Sequence, residues 1–253
     1  MLRSLLRRRS LRVALRSAAT STVLALVVLG AGFAGGFMTG WSDLSATHAS
    51  DGRTFVAITF DDGLNGSTTR TTADILEEHG ARGTFFVVGK TLKPQVTLAR
   101  ELVDRGHLLA NHSQDHVRAR RSDILYTEIE RAQASFQQVI GRCPRFYRPP
   151  WGVQTRWVNA AVRREGMQTV LWDDEAGDWA EQDAEQLAKH ILERVKPGAI
   201  ILLHDGKEGT ANSDHSVMLA ALPVILEGLK ERGLTPVRLD ELLGTTGYLD
   251  RCR

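Results

Sequence analysis

The feature that most constrains the fold of this 253-residue chain is the regular alternation, after Gly52, of short apolar runs with longer segments of helical period. Because β-branched and aromatic residues are concentrated in the apolar runs, we predict strands at 55–60, 84–88, 107–111, 145–148, 168–172, 199–203 and 235–237. Amphipathic periodicity predicts helices at 69–79, 96–105, 122–140, 155–165, 183–194 and 217–232. Strands separated by helices pair in parallel, so the pattern predicts an α/β fold.

Residues at the predicted helix boundaries support these assignments. Ser122 and Asp183 stand where N-caps are expected, and glycines stand where helices should stop, at positions 80, 106, 166 and 233. Seven strands of this kind fit a distorted or incomplete (β/α) barrel of seven to eight parallel strands better than a doubly wound sheet. Residues 50–253 contain no internal repeat and no long linker, and we assign them to one domain. In such barrels, functional side chains lie where strands end and the following loops begin.

Residues 1–49 have the composition of an export segment. Six arginines precede position 17, and positions 17–42 carry no charge, with the most apolar part at 23–38. A basic flank followed by an apolar run is typical of a signal peptide, and this run is also nearly long enough to span a bilayer. We therefore predict a signal peptide or an N-terminal membrane anchor at 1–49, and a protein that is secreted or anchored to the outer face of the cytoplasmic membrane.

The charge of the rest of the chain argues against a nucleic-acid partner. The whole chain has a net charge of +2, but residues 1–49 hold six of its 32 basic residues and only one of its 30 acidic residues. The remainder is slightly acidic and gives no indication of the basic stripe that binding to phosphate backbones requires. A disulfide scaffold is also excluded, because the chain has only two cysteines.

Polar residues cluster where the predicted strands end. Five short segments of this kind are Thr59-Phe60-Asp61-Asp62-Gly63, Asn111-His112-Ser113-Gln114-Asp115-His116, Arg148-Pro149-Pro150-Trp151-Gly152, Glu175-Ala176-Gly177-Asp178-Trp179 and Leu202-Leu203-His204-Asp205. Each segment has a purely structural alternative, such as a surface turn, a pair of exposed histidines or a core tryptophan. Their shared position at strand ends favours one functional site instead.

The residue types in these segments indicate a reaction class. His112 and His116 are four residues apart and can reach one metal ion from a helical turn or a compact loop. Together with one carboxylate they would supply three ligands and leave a position open for water or a substrate oxygen. A second carboxylate could take a proton from water, and a further histidine could protonate a leaving group. The combination indicates metal-assisted hydrolysis of an acyl bond.

The five segments resemble, in sequence and in order, the five motifs of the polysaccharide deacetylases, the NodB-homology domains of carbohydrate esterase family four. The resemblance runs from about residue 54 to residue 239. It implies a hydrolase that removes N-acetyl groups from an amino-sugar polysaccharide such as peptidoglycan or a chitin-type glycan. The alternative within this class is an acetylxylan-type O-deacetylase with the same machinery. A non-catalytic glycan-binding or envelope protein is disfavoured, because every motif residue with a chemical role is present.

The resemblance assigns four catalytic roles. It makes Asp61 the base, held ionised and oriented by Arg148, since a nearby positive charge favours the carboxylate. It makes His204 the general acid, with Asp178 raising its pKa and orienting the ring. Two charged pairs of this kind would hold an acid and a base in opposite protonation states, which the hydrolysis of an acetamide requires.

The resemblance also implies one divalent metal ion, held by Asp62, His112 and His116. Two nitrogen ligands and one oxygen ligand suit zinc, with cobalt, nickel and manganese as alternatives. The substrate would be an acetylated glycan. The implied substrate-binding residues are Trp151, whose backbone N–H would stabilise the oxyanion, and Trp179 and Leu202, which would wall the pocket for the acetyl methyl group.

Several positions are left open by the sequence. Glu175 stands where the family usually has aspartate, and Trp151 stands where many relatives carry tyrosine, a change that a backbone role should tolerate. Cys143 and Cys252 are compatible with an exported protein and could pair, which would tie the C-terminus to the segment before Arg148. Selectivity between substrates is expected in loops such as 207–216.

Overall fold

A computed structural model describes residues 54–175, 177–180 and 182–253, so the predicted signal or anchor segment lies outside the described residues. The strands are β1 (Phe55–Asp61), β2 (Thr84–Val87), β3 (Leu108–Asn111), β4 (Phe146–Tyr147), β5 (Gln168–Thr169), β6 (Asp174–Glu175), β7 (Ile200–His204) and β8 (Thr235–Val237). The α-helices are α1 (Gly66–Glu78), α2 (Val96–Asp104), α3 (Glu128–Ile140), α4 (Arg156–Arg164), α5 (Ala184–Arg194), α6 (Ser216–Glu231) and α7 (Leu239–Leu242). Short 3₁₀ turns lie at Gly89–Thr91 and Pro150–Gly152.

All strand pairs in the sheet are parallel, in the order β5-β4-β3-β2-β1-β7-β6, and β8 also pairs with β1. β1 lies at the centre of the sheet, and two strands, β8 and β2, pair with successive parts of the same edge of β1. Its first residues, from Phe55, pair with β8, and its last residues, up to Asp61, pair with β2. Among the described residues β5 and β6 do not pair with each other, so the sheet is an incomplete barrel. The prediction of an incomplete parallel (β/α) barrel is confirmed.

The two faces of the sheet bury two hydrophobic layers. Residues at alternate positions of β1, such as Val56, Ile58 and Phe60, pack outward against the helices, mainly α1, α2, α5 and α6. The other positions face the barrel interior, where Ala57 lies with Phe86, Ala110 and other apolar side chains from neighbouring strands. Each large apolar side chain buried in this way contributes about 1.5–3 kcal/mol. The period-2 alternation of the strands therefore separates a helix-covered core from a barrel core.

Most predicted elements agree with the structure, but helix α3 begins at Glu128 and not near Ser122, which is not an N-cap. The predicted helix at 122–140 includes Ile124 and Leu125 among its apolar positions, but these two residues lie in a loop and are 64% and 78% exposed. The side chain of Asp123 accepts a hydrogen bond from the backbone N–H of Arg120, which stabilises a turn at this point. Local hydrogen bonding thus competes with the helix and delays its start.

The segment after β4 also differs from the prediction. β5 ends at Thr169 instead of 172, and the short strand β6 pairs with β7. The carbonyl oxygens of Val170 and Leu171 accept hydrogen bonds from the buried guanidinium of Arg148. These carbonyls therefore bind a side chain and do not pair with a neighbouring strand. By contrast, the predicted N-cap Asp183 is confirmed, because it forms a reciprocal capping box with Gln186.

The C-terminal tail is attached to the segment before β4. Cys143 and Cys252 form a disulfide with a Cα–Cα distance of 5.4 Å. Pro144 and Tyr248 form an isolated antiparallel bridge, and Leu249 donates a backbone hydrogen bond to the carbonyl of Cys143. The pairing that the sequence left open is therefore present, and backbone contacts support it. No helix within the described residues is both long and apolar enough to cross a membrane.

Candidate active site

Strand alternation brings the predicted site residues together at one edge of the sheet. Asp61 is two residues beyond Thr59 and shares the interior face with it, and the register places Asp61 beside His204 of β7. Arg148 follows β4, and His112 follows β3. Because parallel strands end at the same edge, residues far apart in sequence converge there. The interior of the barrel is therefore apolar along the strands and polar at their carboxyl ends.

The first component of the site is an ion pair between Asp61 and Arg148. Arg148 Nη1 lies 2.7 Å from Asp61 Oδ1 and donates a second hydrogen bond, of 2.8 Å, to Thr59 Oγ1. Its Nη2 donates to the carbonyl of Leu171, and its guanidinium carbon lies 4.0 Å from the centre of the Phe86 ring. Arg148 is 0% exposed; burial lowers its pKa, and the Asp61 charge opposes that effect. The buried arginine therefore fixes the orientation of the Asp61 carboxylate.

The second component is a buried cluster of Asp62, His112 and His116. Asp62 Oδ1 lies 3.3 Å from His112 Nε2 and 3.0 Å from His116 Nε2. His112 Nδ1 lies 2.9 Å from the carbonyl oxygen of Arg148 and donates to it, so Nε2 is the nitrogen that faces Asp62. Burial alone would raise the pKa of Asp62, but the hydrogen bonds and charges of the two histidines hold it well below its usual range.

This cluster fits one metal ion. One donor atom from each of the three side chains lies within 4.8 Å of the others, and all three residues are buried. The hydrogen bond to the Arg148 carbonyl is the kind of outer contact that orients a ligating histidine. Asp62, Ser113 and His116 all have positive φ values, of 74°, 67° and 56°, which non-glycine residues rarely adopt. Backbone strain of this kind is typical of functional sites.

The third component is a pair formed by His204 and Asp178. His204 Nδ1 lies 2.7 Å from Asp178 Oδ1, and the backbone N–H of His204 donates to Oδ2 at 2.6 Å. Desolvation lowers the pKa of His204, but the hydrogen bond and charge of Asp178 outweigh it and raise the pKa to about 9. The charges of Asp61 and Asp62 add to this effect. The imidazole is therefore protonated at neutral pH, with Nδ1 engaged and Nε2 available.

The raised pKa of His204 predicts a pH-dependent loss of stability in the metal-free protein. Because the folded-state pKa of about 9 lies above the unfolded value of 6.5, this stabilisation is complete below pH 6.5 and disappears as the pH rises through 9. We expect the free energy of unfolding of the wild type to fall by on the order of 3 kcal/mol more than that of His204→Gln across this range. Urea unfolding with chelator present measures it, and parallel pH profiles for the two proteins would contradict the assignment.

The three predicted substrate-binding residues differ in exposure. Trp151 is 47% exposed and packs against His116, with ring centroids 4.4 Å apart. Its backbone N–H donates to no acceptor among the described residues, and its φ is 53°. Trp179 is 70% exposed, and its Nε1 donates to Glu175 Oε1 at 3.1 Å, so the unusual glutamate contacts this ring. Leu202 is only 2% exposed and lies beneath this polar layer, beside Thr59 in the register.

Asp205 is a site residue to which sequence reasoning gave no role, although it directly follows His204. It is 0% exposed, its Oδ2 accepts a hydrogen bond from the hydroxyl of Thr69, and its backbone N–H donates to the carbonyl of Asp61. Burial first, and then the charges of Asp62 and Asp61, raise the pKa of Asp205 to about 7 against the effect of Thr69. Asp205 thus connects the ends of β1 and β7 to helix α1.

The loops after β1 and β7 are packed closely enough to require glycine. A Cβ on Gly206 would overlap the backbone of Asp62, and one on Gly63 would lie within 2.9 Å of the Asp205 carboxyl carbon. The backbone N–H of Glu208 donates to Asp62 Oδ2 at 2.9 Å. The loop after β7 therefore fixes Asp62 Oδ2, while Asp62 Oδ1 faces the two histidines.

Comparison with known proteins agrees with this geometry. Residues 48–170 match the family model described as polysaccharide deacetylase. The chain is 34% identical over 192 residues to the peptidoglycan-N-acetylglucosamine deacetylase of Bacillus cereus, covering 74% of this chain and 87% of that protein. It is 32% identical over 197 residues to the chitooligosaccharide deacetylase of Azorhizobium caulinodans, covering 74% of this chain and 94% of that protein.

A solved structure of a peptidoglycan N-acetylglucosamine deacetylase superposes with a TM-score of 0.71 at 26% identity, covering 78% of this chain and 91% of that one. The incomplete barrel and these matches define a deacetylating carbohydrate esterase. The chain belongs to the polysaccharide deacetylase family, and the family resemblance predicted from its five motifs is confirmed.

Proposed function

We propose that this enzyme removes N-acetyl groups from an amino-sugar polysaccharide. The observation that carries the proposal is the pairing, at the adjacent ends of β1 and β7, of a carboxylate held by a buried arginine with an imidazole held by a buried carboxylate. One pair can accept a proton while the other donates one, as hydrolysis of an amide requires. The relatives named as deacetylases of peptidoglycan N-acetylglucosamine and of chitooligosaccharides support an amide substrate.

Asp61 is the general base in this proposal. Its Oδ1 is bound to Arg148, whereas its Oδ2 lies 3.8 Å from His112 Nε2 and is the oxygen nearer to the cluster. Oδ2 can take the proton from the water that attacks the acetyl carbonyl. Arg148 stabilises the carboxylate before the transfer and cannot itself act as the base, because a guanidinium does not deprotonate in proteins.

His204 is the general acid. Expulsion of an amine requires a proton on the departing nitrogen, and the pKa of about 9 keeps the imidazole protonated at neutral pH. Asp178 occupies Nδ1, so the proton is delivered from Nε2. Asp178 Oδ2 also accepts a hydrogen bond from the backbone N–H of His204, which fixes the carboxylate relative to the imidazole.

Asp62, His112 and His116 would hold one divalent cation. When bound, the cation supplies a Lewis acid for the acetyl carbonyl oxygen. A site with two nitrogen donors and one oxygen donor suits zinc, with cobalt, nickel and manganese as the other candidates. The free backbone N–H of Trp151 would add a hydrogen bond to the same developing negative charge. Trp179 and Leu202 would line the pocket for the acetyl methyl group.

The export segment completes the proposal. An amino-sugar polysaccharide of the cell envelope lies outside the cytoplasmic membrane, and the basic, then apolar, composition of residues 1–49 is that of a signal peptide or an anchor. We therefore place the deacetylase domain, residues 50–253, outside the membrane, either released or held by the N-terminal segment.

Acetate release tests the proposed reaction. We expect the purified protein to release acetate from N-acetylglucosamine oligomers or from peptidoglycan, to lose this activity with a chelator, and to regain it when a single divalent metal is returned. Acetylated xylan is measured in parallel. Release only from xylan would indicate an O-deacetylase, and metal-loaded protein without activity on any of the three would indicate a non-catalytic glycan-binding protein.

A further inference from the structure

We propose that a basic surface beside the active site binds carboxylate groups of the glycan and makes this enzyme selective for an anionic acetylated strand over a neutral one. The surface consists of four exposed arginines, Arg118, Arg120 and Arg121 in the loop between β3 and α3, and Arg156 at the start of α4. The inference rests on the proposed deacetylase function, because the strand that binds here is the one whose acetyl group is removed.

The basic surface is continuous with the catalytic centre. The ring of His116 packs against Trp151, and the guanidinium carbon of Arg118 lies 5.8 Å from the centre of the Trp151 ring. Further along the loop, the carbonyl of Arg121 accepts a hydrogen bond from Trp157 Nε1, and Arg156 lies 4.3 Å from the centre of the Trp157 ring. Arg118 thus borders the cluster, and Arg121 and Arg156 lie further along the same loop and at the start of α4.

The charges of this surface are available to a ligand. Among the described residues, no carboxylate lies within 4.0 Å of the guanidinium nitrogens of these four arginines. Some arginines elsewhere, such as Arg70, Arg105 and Arg238, are by contrast paired with acidic residues. The acidic groups at the two ends of the loop are engaged: Asp115 and Glu128 both pair with Arg131.

Asp123 is the remaining carboxylate of the loop, and it accepts the backbone N–H of Arg120. Its charge is opposed by three arginines of the same loop, so the local field remains positive.

The loop presents these side chains from a fixed backbone. Ala119 is only 9% exposed and anchors the segment in a small core with Tyr126, Tyr147 and residues of α4. The hydroxyl of Tyr126 donates to the carbonyl of Val117, and Trp157 holds the carbonyl of Arg121. Because the backbone is ordered before binding, a ligand need only order the ends of the arginine side chains, which reduces the entropic cost of association.

One pocket of the basic surface has side chains suited to a carboxylate ligand. Between the loop and the start of α4, a pocket is lined by Arg121, Gln154, Thr155 and Arg156. Two guanidinium groups beside an amide and a hydroxyl form a donor-rich site of the kind that binds a carboxylate with several hydrogen bonds. Such a pocket fits discrete carboxylates, either on a sugar ring next to the cleaved acetamide or on a peptide attached to the strand.

The test compares the double variant Arg121→Gln/Arg156→Gln with wild type on two sets of substrates. One is N-acetylglucosamine oligomers, which are neutral. The other is peptidoglycan strands in two forms: strands with stem peptides, whose free carboxylates are on the peptides because the lactyl groups are amide-linked to them, and strands without the peptides, whose lactyl carboxylates are free. We expect kcat/KM on the anionic strands to fall about tenfold or more, mainly through KM, with an unchanged value on the neutral oligomers. The loss should shrink as salt is added. An effect confined to peptide-bearing strands would assign the contact to peptide carboxylates.

Matched controls keep the inference falsifiable. Arg194→Gln, an exposed arginine at the end of α5, should leave both values unchanged. Equal losses on both substrates, or no loss on either, would overturn the proposal. Calorimetry measures the binding of anionic strands to the full-length wild type and to the double variant, and it tests the surface even if no acetate is released. Failure of the proposed deacetylase function is therefore distinguishable from failure of the proposed binding surface. Arginine-dependent binding to phosphatidylglycerol vesicles without any preference for anionic strands would assign the surface to a membrane and reject the glycan proposal.

Discussion

Replacing Asp61 with asparagine is expected to reduce acetate release by roughly 10² to 10⁴ while leaving the metal bound, because a general base contributes a factor of that size and this carboxylate is not one of the three clustered donors. Asparagine has the same shape, so it can still accept the hydrogen bond from Arg148 but cannot take a proton from water. Activity and metal content of the same preparation, the latter measured by mass spectrometry, provide the check.

The matched variant Asp62→Asn distinguishes the two neighbouring carboxylates. Asp62 contacts both His112 and His116, whereas Asp61 contacts Arg148. We therefore expect Asp62→Asn to lose metal and activity together, and excess metal to restore part of the activity. If Asp61→Asn loses the metal and Asp62→Asn retains it, the two roles are reversed.

Folding must be verified for Asp61→Asn, because it leaves the buried charge of Arg148 unpaired. Removing one partner of a buried ion pair costs about 3–5 kcal/mol. Assays are therefore made below the melting temperature of the variant, as determined by circular dichroism.

Replacing His204 with alanine is expected to reduce hydrolysis of the amide by roughly 10² to 10⁴. The reduction should be much smaller for an activated aryl acetate, because a stable phenolate departs without protonation whereas an amine does not. The ratio of the two losses is the informative quantity, since a misfolded or metal-free protein would lose both activities equally. Rates on an N-acetylglucosamine oligomer and on the aryl ester, measured with one preparation, determine it.

Asp178→Asn is the matched variant for the second prediction. The amide can retain one hydrogen bond to His204 but removes the charge that raises the imidazole pKa to about 9. We expect its amide hydrolysis to decline at a lower pH than that of the wild type, while activity at low pH is partly retained. Equal losses of amide and ester activity in His204→Ala would remove His204 from the role of general acid.

The sequence predicted most of the fold because local patterns determine local structure. The apolar runs at 55–60, 84–88 and 199–203 are almost entirely strand, and Asp183 caps a helix as its side chain predicts. Predictions failed at two places, one where a contact distant in sequence overrides the local pattern and one where a local turn competes with the helix. The segment 168–172 leaves the sheet after Thr169, because the guanidinium of Arg148 donates hydrogen bonds to the carbonyl oxygens of the next two residues. The segment from Ser122 to the start of α3 is a loop.

Local patterns selected the residues of the candidate site, whereas their pairing was predicted only from the family resemblance. Strand-end position and residue type were sufficient to select the two histidines, the two adjacent carboxylates, the arginine and the second histidine–carboxylate pair. Asp205 has the same position but received no role, because its importance lies in its complete burial against Thr69 and the loop after β1. Burial of a polar side chain depends on the elements that pack over it, and these are remote in sequence.

By itself the sequence determined the types and order of the elements, the family and the identities of the reactive side chains, since these depend on composition, periodicity and motifs within a few residues. The family resemblance implied how Asp61 and Asp62 divide their contacts, but only the tertiary structure provides the geometry that produces this division. Asp61 ends a strand and faces the barrel interior, where it meets an arginine 87 residues away, whereas Asp62 has φ of 74° and faces the histidines. The physical reason is that the direction of each carboxylate depends on backbone geometry and on partners brought together only when the sheet forms.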